Sequence, residues 1–158
     1  MFRIRQFVPS KVCLECEVCC RFSEPKGVWL PHTSRKEAAA LNRQTIGIRK
    51  FKQGFCCEFF IPKENRCRVY GLRPFDCRIY PFLLHKQKGK LFLAAHLACP
   101  FIVENLRAKK FQRYVSYLKK FFRRKDIRIF LKENPHLAQD YSEFQKEILP
   151  LFSNRCLP

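Results

Sequence analysis

The chain has 158 residues, and its 32 Lys and Arg outnumber 13 Asp and Glu to give a net charge of +19 at pH 7. Its length is that of one ordinary domain and excludes a large multidomain enzyme. Hydrophobic residues make up 47% of it, enough to bury a core, which excludes wholesale disorder. No run approaches the roughly 20 apolar residues of a membrane span, and the first residues lack the apolar stretch of a secretion signal. We therefore expect a cytoplasmic protein without a transmembrane segment.

The first two-thirds of the chain predict short strands and one short helix. Four segments have the alternation or the β-branched and aromatic composition of strands. They are residues 2–8, 59–61, 68–70 and 91–95. Pro62 and Asn65 mark a turn between the second and third segments, and the polar residues 86–89 form a predicted turn before the fourth. The helix is predicted over residues 35–43, because Ser34 and Glu37 have the spacing of a capping box before an apolar run.

From Pro100 onward the pattern is helical and very basic. A long helix is predicted to begin at Pro100, since proline is tolerated in a first turn. Its apolar face comprises Phe111, Tyr114, Val115, Leu118, Phe121 and Phe122. Its basic face and flanks comprise Lys109, Lys110, Arg113, Lys119, Lys120, Arg123 and Arg124. A last helix is predicted from Asn134 and Pro135, with Leu137, Tyr141, Phe144 and Ile148 on its inner face.

These elements together predict an α+β fold. We expect a small, loop-rich, metal-stabilised domain with short strands, followed by a C-terminal helical segment. Residues 1–100 would form a cysteine-cluster metal-binding region, and residues 101–158 a basic helical region packed on it. No Gly/Ser linker separates the two, so a single compact domain is predicted.

The ten cysteines are the most informative feature of the sequence. Nine lie between Cys13 and Cys99, and Cys13, Cys16 and Cys19 form two successive C-x2-C steps. The turn within such a step directs backbone amides toward the sulfurs and favours the thiolate form that metals need. Disulfides are the alternative, but a chain without an export signal disfavours them. The spacing therefore predicts one or two metal–thiolate centres.

The spacing also bears on which metal binds. All-cysteine zinc sites usually consist of two C-x2-C knuckles, whereas here these steps are confined to the first cluster. The C-x2-C-x2-C run is typical of a cubane iron–sulfur cluster completed by a distant Cys-Pro, and Cys99-Pro100 has that form. We favour an iron–sulfur cluster or iron, with zinc as the alternative. Arginines that can balance thiolate charge flank the later cysteines, and His96 is the histidine nearest a cysteine. The arginines are Arg21, Arg66, Arg68, Arg73 and Arg78.

The cysteine pattern resembles the CxxCxxCC family of zinc- or iron-chelating domains over about residues 10–100. The matching segments are Cys13-x2-Cys16-x2-Cys19-Cys20, Cys57-Glu58-Phe59, the run from Cys67 through Tyr70, Arg73-Pro74 and Cys77-Arg78 to Tyr80-Pro81, and Cys99-Pro100. The ligand candidates that this resemblance implies are Cys13, Cys16, Cys19, Cys20, Cys57, Cys67, Cys77 and Cys99. Cys56 and Cys156 depart from the pattern and are interpreted as bystanders. Arg73-Pro74 would be structural, with the arginine donating to carbonyls or to a metal-bound sulfur.

Two further functions stay open. Residues 101–132 carry eleven Lys and Arg against two acidic residues, which favours a nucleic-acid-binding module or an acidic protein partner. The candidate contacts are Lys109, Lys110, Arg113, Lys120, Arg123 and Arg124. A relative with a similar cysteine cluster is the flagellin lysine N-methylase, so a metal-dependent enzyme is the third hypothesis. No glycine-rich cofactor loop or catalytic triad supports it, and no catalytic residue is assigned.

Overall fold

The computed structural model describes residues 2–154, and it divides into two compact units. Unit 1 ends at Arg78 and unit 2 begins at Ile79. Helices and small antiparallel sheets occur together, which confirms the predicted α+β class. The proposed division at residue 100, and the packing of one region on the other, stay predictions.

Unit 1 is built from short elements joined by loops. Its helices are α1 (Ser10–Glu15), α2 (Arg35–Ala40) and α3 (Phe75–Ile79), the last of which runs across the boundary. Its strands are β1 (Arg21–Phe22), β2 (Ile48–Phe51), β3 (Gly54–Cys57), β4 (Phe60–Ile61) and β5 (Arg66–Cys67). Single 3-10 turns span Pro62–Glu64 and Tyr70–Leu72. The capping box predicted for α2 is present, with Ser34 and Glu37 each binding the other's backbone.

Strand β3 is the centre of a three-stranded antiparallel sheet in the order β1-β3-β2. Its register sets Arg21 opposite Cys56 and Phe22 opposite Phe55. Gly54 permits this close pairing, because a Cβ there would lie 2.7 Å from the carbonyl oxygen of Phe22. The sheet thus pairs β1, which follows Cys20, with β3, which contains Cys56 and Cys57.

One hydrophobic cluster of unit 1 contains the second cysteine pair. Its buried members are Leu41, Cys56, Cys57, Phe59 and Phe60. Half-buried side chains pack around them, namely Cys20, Phe22, Ile46, Phe51, Cys67 and Val69. Four of these eleven residues are cysteines, so the thiols form a substantial part of the interior that holds unit 1 together.

Unit 2 contains a three-stranded antiparallel sheet in the order β6-β7-β8. The strands are β6 (Phe82–Gln87), β7 (Lys90–His96) and β8 (Ile148–Asn154). Lys88 and Gly89 join the first two strands, and both have positive φ, which is the two-residue hairpin turn that glycine favours. The strand predicted over 91–95 and its polar turn are therefore confirmed.

Three helices follow, α4 (Pro100–Asn105), α5 (Lys109–Arg123) and α6 (Lys125–Glu133). The predicted apolar face of α5 is confirmed: five of its six residues are buried and Tyr114 is half-buried. Phe111 stacks on Phe82 of the sheet, with ring centroids 6.2 Å apart. The predicted basic residues of α5 are all exposed. None of the helices in the described part of the chain has the length and apolarity that crossing a membrane requires.

Four sequence predictions about the elements are wrong. Residues 2–8 form no strand, and residues 68–70 follow β5 instead of forming it. The long helix from Pro100 is interrupted before Lys109 and again at Arg124, whose extended backbone ends α5 and begins α6. In place of a last helix, 3-10 turns span Pro135–Leu137 and Ser142–Phe144, followed by β8.

The last helix fails to form because its backbone groups bond to the sheet. Gln139 accepts from the amide of Lys86 at 2.8 Å and donates its own amide to Leu84 at 3.0 Å. These bonds extend the edge of β6 and replace helical bonds. Tertiary pairing therefore overrides a periodicity that fits a helix.

Candidate metal centre

Five cysteine side chains from four separate segments of unit 1 lie near enough to act on one another electrostatically. They are Cys19, Cys20, Cys57, Cys67 and Cys77, and we call them the thiol cluster. Each acts electrostatically on others of the set: Cys77 and Cys57 act on Cys20, Cys19 acts on Cys67, and Cys67 acts on Cys77. Cys16, Cys56 and the five cluster residues are free thiols. The disulfide alternative is thus not realised at these seven positions.

Sheet pairing places Cys20 beside Cys57. The amide of Cys57 donates to the carbonyl of Cys20 at 3.1 Å, at the end of the β1–β3 ladder. Cys20 has a φ of 74°, a left-handed conformation that a non-glycine residue adopts only when its surroundings hold it there. The turn ends the first cysteine run and directs the chain into β1.

The β4–β5 hairpin positions Cys67 and also holds the first cysteine run. Cys67 lies opposite Phe60, and Asn65 in the connecting turn has left-handed backbone, with φ 47°. The Asn65 side-chain amide donates to the carbonyls of Leu14 and, at 3.1 Å, of Cys16. Its oxygen accepts from Arg21 at 2.7 Å. One side chain therefore links the hairpin to the backbone of the first C-x2-C step.

Glu37 positions the helix that carries Cys77. One oxygen of the buried Glu37 carboxylate accepts from the amide of Phe75 at 2.7 Å and from Arg78 at 3.3 Å. The other accepts from the amide and hydroxyl of Ser34 at 3.0 and 2.8 Å. The carboxylate thus satisfies donors at the first turns of both α2 and α3, where its charge also complements the helix dipoles.

Burial and hydrogen bonding set the pKa values of the cluster. The pKa of Cys19 is lowered, chiefly because Cys20 donates a hydrogen bond to it, and that bond and burial together raise the pKa of Cys20. Burial raises the pKa of Cys57 to about 11 and raises those of Cys67 and Cys77 as well. Most of these thiols are therefore protonated at neutral pH, and binding a metal there would release protons.

Arg73 is the arginine whose charge acts on the most thiols of the cluster. Its positive charge lowers the pKa of Cys19, Cys67 and Cys77. Its Nε donates to the carbonyl of Tyr70 at 3.0 Å, and the guanidinium stacks 3.6 Å from the centre of the Tyr70 ring. The bond to a carbonyl is one of the two roles that the sequence analysis assigned to this arginine.

The remaining predicted arginines differ in their burial and in the groups that they contact. Arg21 lies 4.5 Å from the centre of the Phe60 ring and lowers the pKa of Cys19. Arg78 bonds to Glu37 and to the carbonyl of Phe2. Arg66 and Arg68 are exposed, and Arg66 pairs with Glu64. The charge of Arg73 thus acts on three thiols of the cluster and that of Arg21 on one, whereas Arg78 supports the cluster through Glu37.

The donor set fits a thiophilic metal. Thiolates suit zinc and iron–sulfur clusters, and the cluster offers more sulfurs than the four that a tetrahedral ion needs. Within residues 2–154, no three His, Cys, Asp or Glu side chains already have the arrangement of a formed metal site. Binding an ion here therefore requires the thiols to move closer to a common point and to lose their protons.

The other predicted ligands are not members of the thiol cluster. Cys13 is within α1, and Cys16 ends that helix. Cys99 belongs to unit 2, where it is buried at the N-cap position of α4 without a side-chain capping bond. Cys56 is fully buried in β3, which agrees with a packing role, and Cys156 lies outside the described residues. His96 is buried in unit 2, with its Nδ1 3.1 Å from the hydroxyl of Tyr80.

Sequence reasoning missed two residues that organise this site. Glu37 was recognised only as part of a capping box, and Asn65 only as a turn marker. Their second roles depend on partners 38 and 49 residues away in sequence. No local pattern indicates such partners.

Comparison with known proteins supports the same chemistry. No curated protein and no solved structure is significantly similar to the chain. One family profile, described as "Putative zinc- or iron-chelating domain", matches residues 12–100, which is more than half of the chain and includes every residue of the thiol cluster. The chain belongs to this CxxCxxCC family of metal-chelating domains.

Proposed function

We propose that unit 1 binds one or two metal–thiolate centres through the thiol cluster, with an iron–sulfur cluster favoured over zinc. The observation that supports this is the meeting of five thiols from four segments in one small, half-buried region. Cys19, Cys57, Cys67 and Cys77 are the principal ligands in this proposal. Cys20, Cys16 and Cys13 are available to a second centre, and Cys99 stays a predicted ligand from unit 2.

The number and order of the cysteines favour iron–sulfur. A structural zinc ion needs four ligands, which would leave several thiols of the region unused. The two successive C-x2-C steps from Cys13 to Cys19 are typical of iron–sulfur proteins, and Cys13 and Cys16 are among the thiols that a second centre would use. When bound, such a cluster would supply one-electron redox chemistry. The residues of unit 1 would hold its sulfurs, balance its charge through Arg73 and Arg21, and limit solvent access through Phe59 and Phe60.

A structural contribution follows from the size of unit 1. Its strands are two to four residues long, and two of the five buried residues in the hydrophobic cluster around β3 are cysteines. Such short strands stabilise a fold only weakly, and small domains of this kind commonly depend on metal. We therefore propose that metal binding and folding of unit 1 are coupled.

Anaerobic purification followed by elemental analysis and absorption spectroscopy tests the proposal. A brown protein with iron and acid-labile sulfide is the expected result. A colourless protein with stoichiometric zinc would retain the metal centre and overturn the preference for iron–sulfur. Protein that holds neither metal after anaerobic isolation and reconstitution, with its thiols still reactive, would overturn the proposal itself.

Matched cysteine variants identify the ligands. Cys67→Ser and Cys77→Ser are expected to lower the bound metal well below the wild-type stoichiometry, because oxygen replaces a soft sulfur ligand. Cys56→Ala is the control, since Cys56 is fully buried beside Cys57 and lies outside the ligand set. It should keep the metal content, although it loses packing. Equal metal loss in the control and the ligand variants would contradict the assignment.

A second candidate function is nucleic-acid binding by α5. The observation that favours it is that all six basic residues of this helix are exposed and that the helix contains no acidic residue. Lys109, Arg113, Lys120 and Arg123 share one face, and within residues 2–154 none of these four has an ion-pair partner. Lys110 lies near Phe101, and Arg124, at the end of the helix, pairs with Asp126.

A salt titration tests this candidate. Binding of RNA or single-stranded DNA should weaken steeply with salt, and replacing three lysines of α5 by glutamine should lower the slope of log K against log salt by about 2. Binding that selects an acidic protein over both nucleic acids would favour the other predicted partner. Absence of salt-sensitive binding to either nucleic acid would remove the candidate.

A further inference from the structure

Unit 2 contains a cleft that none of the functions above uses. It has a volume of about 240 Å³ and lies between the end of the β6–β7 hairpin and the end of α6. Its lining residues comprise three lysines, which are Lys86, Lys90 and Lys132, and an apolar part made mainly by Leu91, Leu131 and Pro135. We call it the lysine cleft.

Regular structure fixes the walls of the lysine cleft. Lys86 and Leu91 are directly opposite each other in the β6–β7 ladder, so their side chains share one face of the sheet. The amide of Lys86 donates to the carbonyl of Gln139 at 2.8 Å, which holds the chain after Pro135 against β6. At the other wall, Asn134 ends α6, and its side-chain amide donates to the carbonyl of Phe130 at 2.8 Å. The cleft is thus formed by anchored segments.

The charge around the lysine cleft is strongly positive. Its three lysines are exposed, and Lys88 in the hairpin turn adds a fourth cation beside Lys86 and Lys90. Arg128 precedes Lys132 by one helical turn on α6 and is also exposed. The carboxylates on α6 are Glu133, next to Lys132, and Asp126, which pairs with Arg124. Neither carboxylate lines the cleft, so the lining carries a net positive charge.

Size and polarity indicate what the lysine cleft accepts. Sites for drug-sized ligands commonly have volumes of about 300–1,000 Å³, so this cleft is suited to a smaller flat group such as one nucleobase. Leu131 is 6% exposed and Leu91 is half-buried, so the apolar surface is recessed beneath the lysines. A membrane-binding surface instead needs apolar side chains that protrude beyond its charged residues.

We propose that the lysine cleft binds single-stranded nucleic acid, with one base on its apolar floor and the adjoining phosphates on Lys86, Lys90 and Lys132. The proposal uses no residue of the thiol cluster or of α5. Its failure would therefore leave the metal centre and the α5 candidate unaffected, and either of those can fail without it.

Fluorescence anisotropy with a labelled single-stranded oligouridylate tests the lysine cleft. The test variant is Lys86→Gln/Lys90→Gln/Lys132→Gln, and the matched control is Lys11→Gln/Lys36→Gln/Lys63→Gln, which removes the same charge from exposed positions of unit 1. A single strand releases about 0.7 counterion for each phosphate contact, so losing three contacts should lower the salt slope by about 2. The control should keep the wild-type slope. These surface changes leave the fold intact, which circular dichroism checks.

A second probe separates base recognition from charge. An abasic oligomer with the same number of phosphates should bind about fivefold more weakly than oligouridylate, because it leaves the apolar floor without a partner. Ala138→Leu, which narrows the cleft without changing its charge or adding an aromatic ring for a base to stack on, should reduce that difference.

Three results would overturn the proposal. One is an equal loss of binding in the cleft variant and the unit 1 control. Another is loss of binding only when Lys109, Lys110 and Lys120 of α5 are replaced by glutamine. The third is binding to vesicles of anionic lipid without binding to oligouridylate.

Discussion

Glu37→Gln is the most informative single substitution, because this carboxylate connects the first turns of two helices and thereby positions Cys77. It accepts four hydrogen bonds, two on each oxygen, from Ser34, Phe75 and Arg78. The side chains of Glu37 and Arg78 are only 10% and 13% exposed, so their ion pair is largely removed from solvent. Glutamine has nearly the same shape and removes the charge alone.

The expected cost follows from these contacts. An amide nitrogen must replace one of the two oxygens, and at either position it would face two donors. A buried polar group left unsatisfied costs about 1–3 kcal/mol, and breaking a buried ion pair by removing one partner costs about 3–5 kcal/mol. Because the two effects share the same atoms, we expect the free energy of unfolding to fall by about 3–4 kcal/mol in total. That is a large part of the roughly 5–15 kcal/mol that stabilises a domain.

Urea unfolding of metal-loaded and chelator-treated protein measures this change. Glu64→Gln is the matched control, since Glu64 forms an exposed ion pair with Arg66 in the same unit and should cost less than about 1 kcal/mol. Metal affinity should fall in the Glu37 variant alone, because α3 carries Cys77. If Glu37→Gln unfolds within about 0.5 kcal/mol of wild type, as a neutral surface change would, the assignment of this network is wrong.

A second substitution isolates the charge. Burial lowers the pKa of Arg78, and Glu37 opposes that effect, so the arginine becomes an uncompensated cation once Glu37 is neutral. Glu37→Gln/Arg78→Met removes that cation and should recover part of the lost stability. A double variant that is less stable than Glu37→Gln would show that Arg78 stabilises mainly through its bond to the carbonyl of Phe2.

Three further predictions concern Arg73, His96 and Gly89. Arg73→Gln should weaken metal affinity by about 10–100-fold, because the positive charge beside Cys19, Cys67 and Cys77 is lost, whereas Arg73→Lys should retain most of the affinity. Isothermal titration calorimetry with both variants measures this, and equal losses of affinity would refute charge compensation. Burial lowers the pKa of His96 from 6.5 to about 4, so between pH 6.5 and pH 4 the unfolded chain binds a proton that the folded chain excludes, and the free energy of unfolding should fall by up to about 3 kcal/mol across that range. His96→Asn should flatten this part of the plot of unfolding free energy against pH, and parallel plots for the variant and the wild type would contradict the prediction. Gly89→Ala should lower the free energy of unfolding by about 1 kcal/mol, since φ is +72° at Gly89, whereas Gly71→Ala, at an open position without positive φ, should be nearly neutral. Urea or thermal unfolding measures both, and equal effects would refute the backbone argument.

Local signals predicted those parts of the fold that local forces determine. The capping box at Ser34, the hairpin turn before Lys90 and the apolar face of α5 were all recognisable from spacing alone, because each depends on residues within a few positions of one another. The cysteine pattern likewise indicated metal chelation, since C-x2-C steps carry their own geometry.

Contacts that are distant in sequence determine the rest. The chain after Pro135 has helical periodicity, yet Gln139 bonds to β6, which no local pattern indicates. The helix predicted from Pro100 is interrupted at Arg124, where neither glycine nor proline marks a break. The grouping of Cys19 and Cys20 with Cys57, Cys67 and Cys77 depends on how the β1–β3 ladder, the β4–β5 hairpin and α3 are anchored, so spacing suggested the ligands without giving their neighbours.

The tandem Cys56-Cys57 in β3 has a consequence for tolerance to pairing errors. Successive strand residues point to opposite faces, so a slip of one residue against β1 would turn Cys57 away from Cys20 and present Cys56 in its place. Most strands that carry one functional side chain lose it entirely when they shift in this way. When the slip brings Cys56 opposite Cys20, this strand still offers a sulfur on the same side, whereas a slip in the other direction would place Glu58 there.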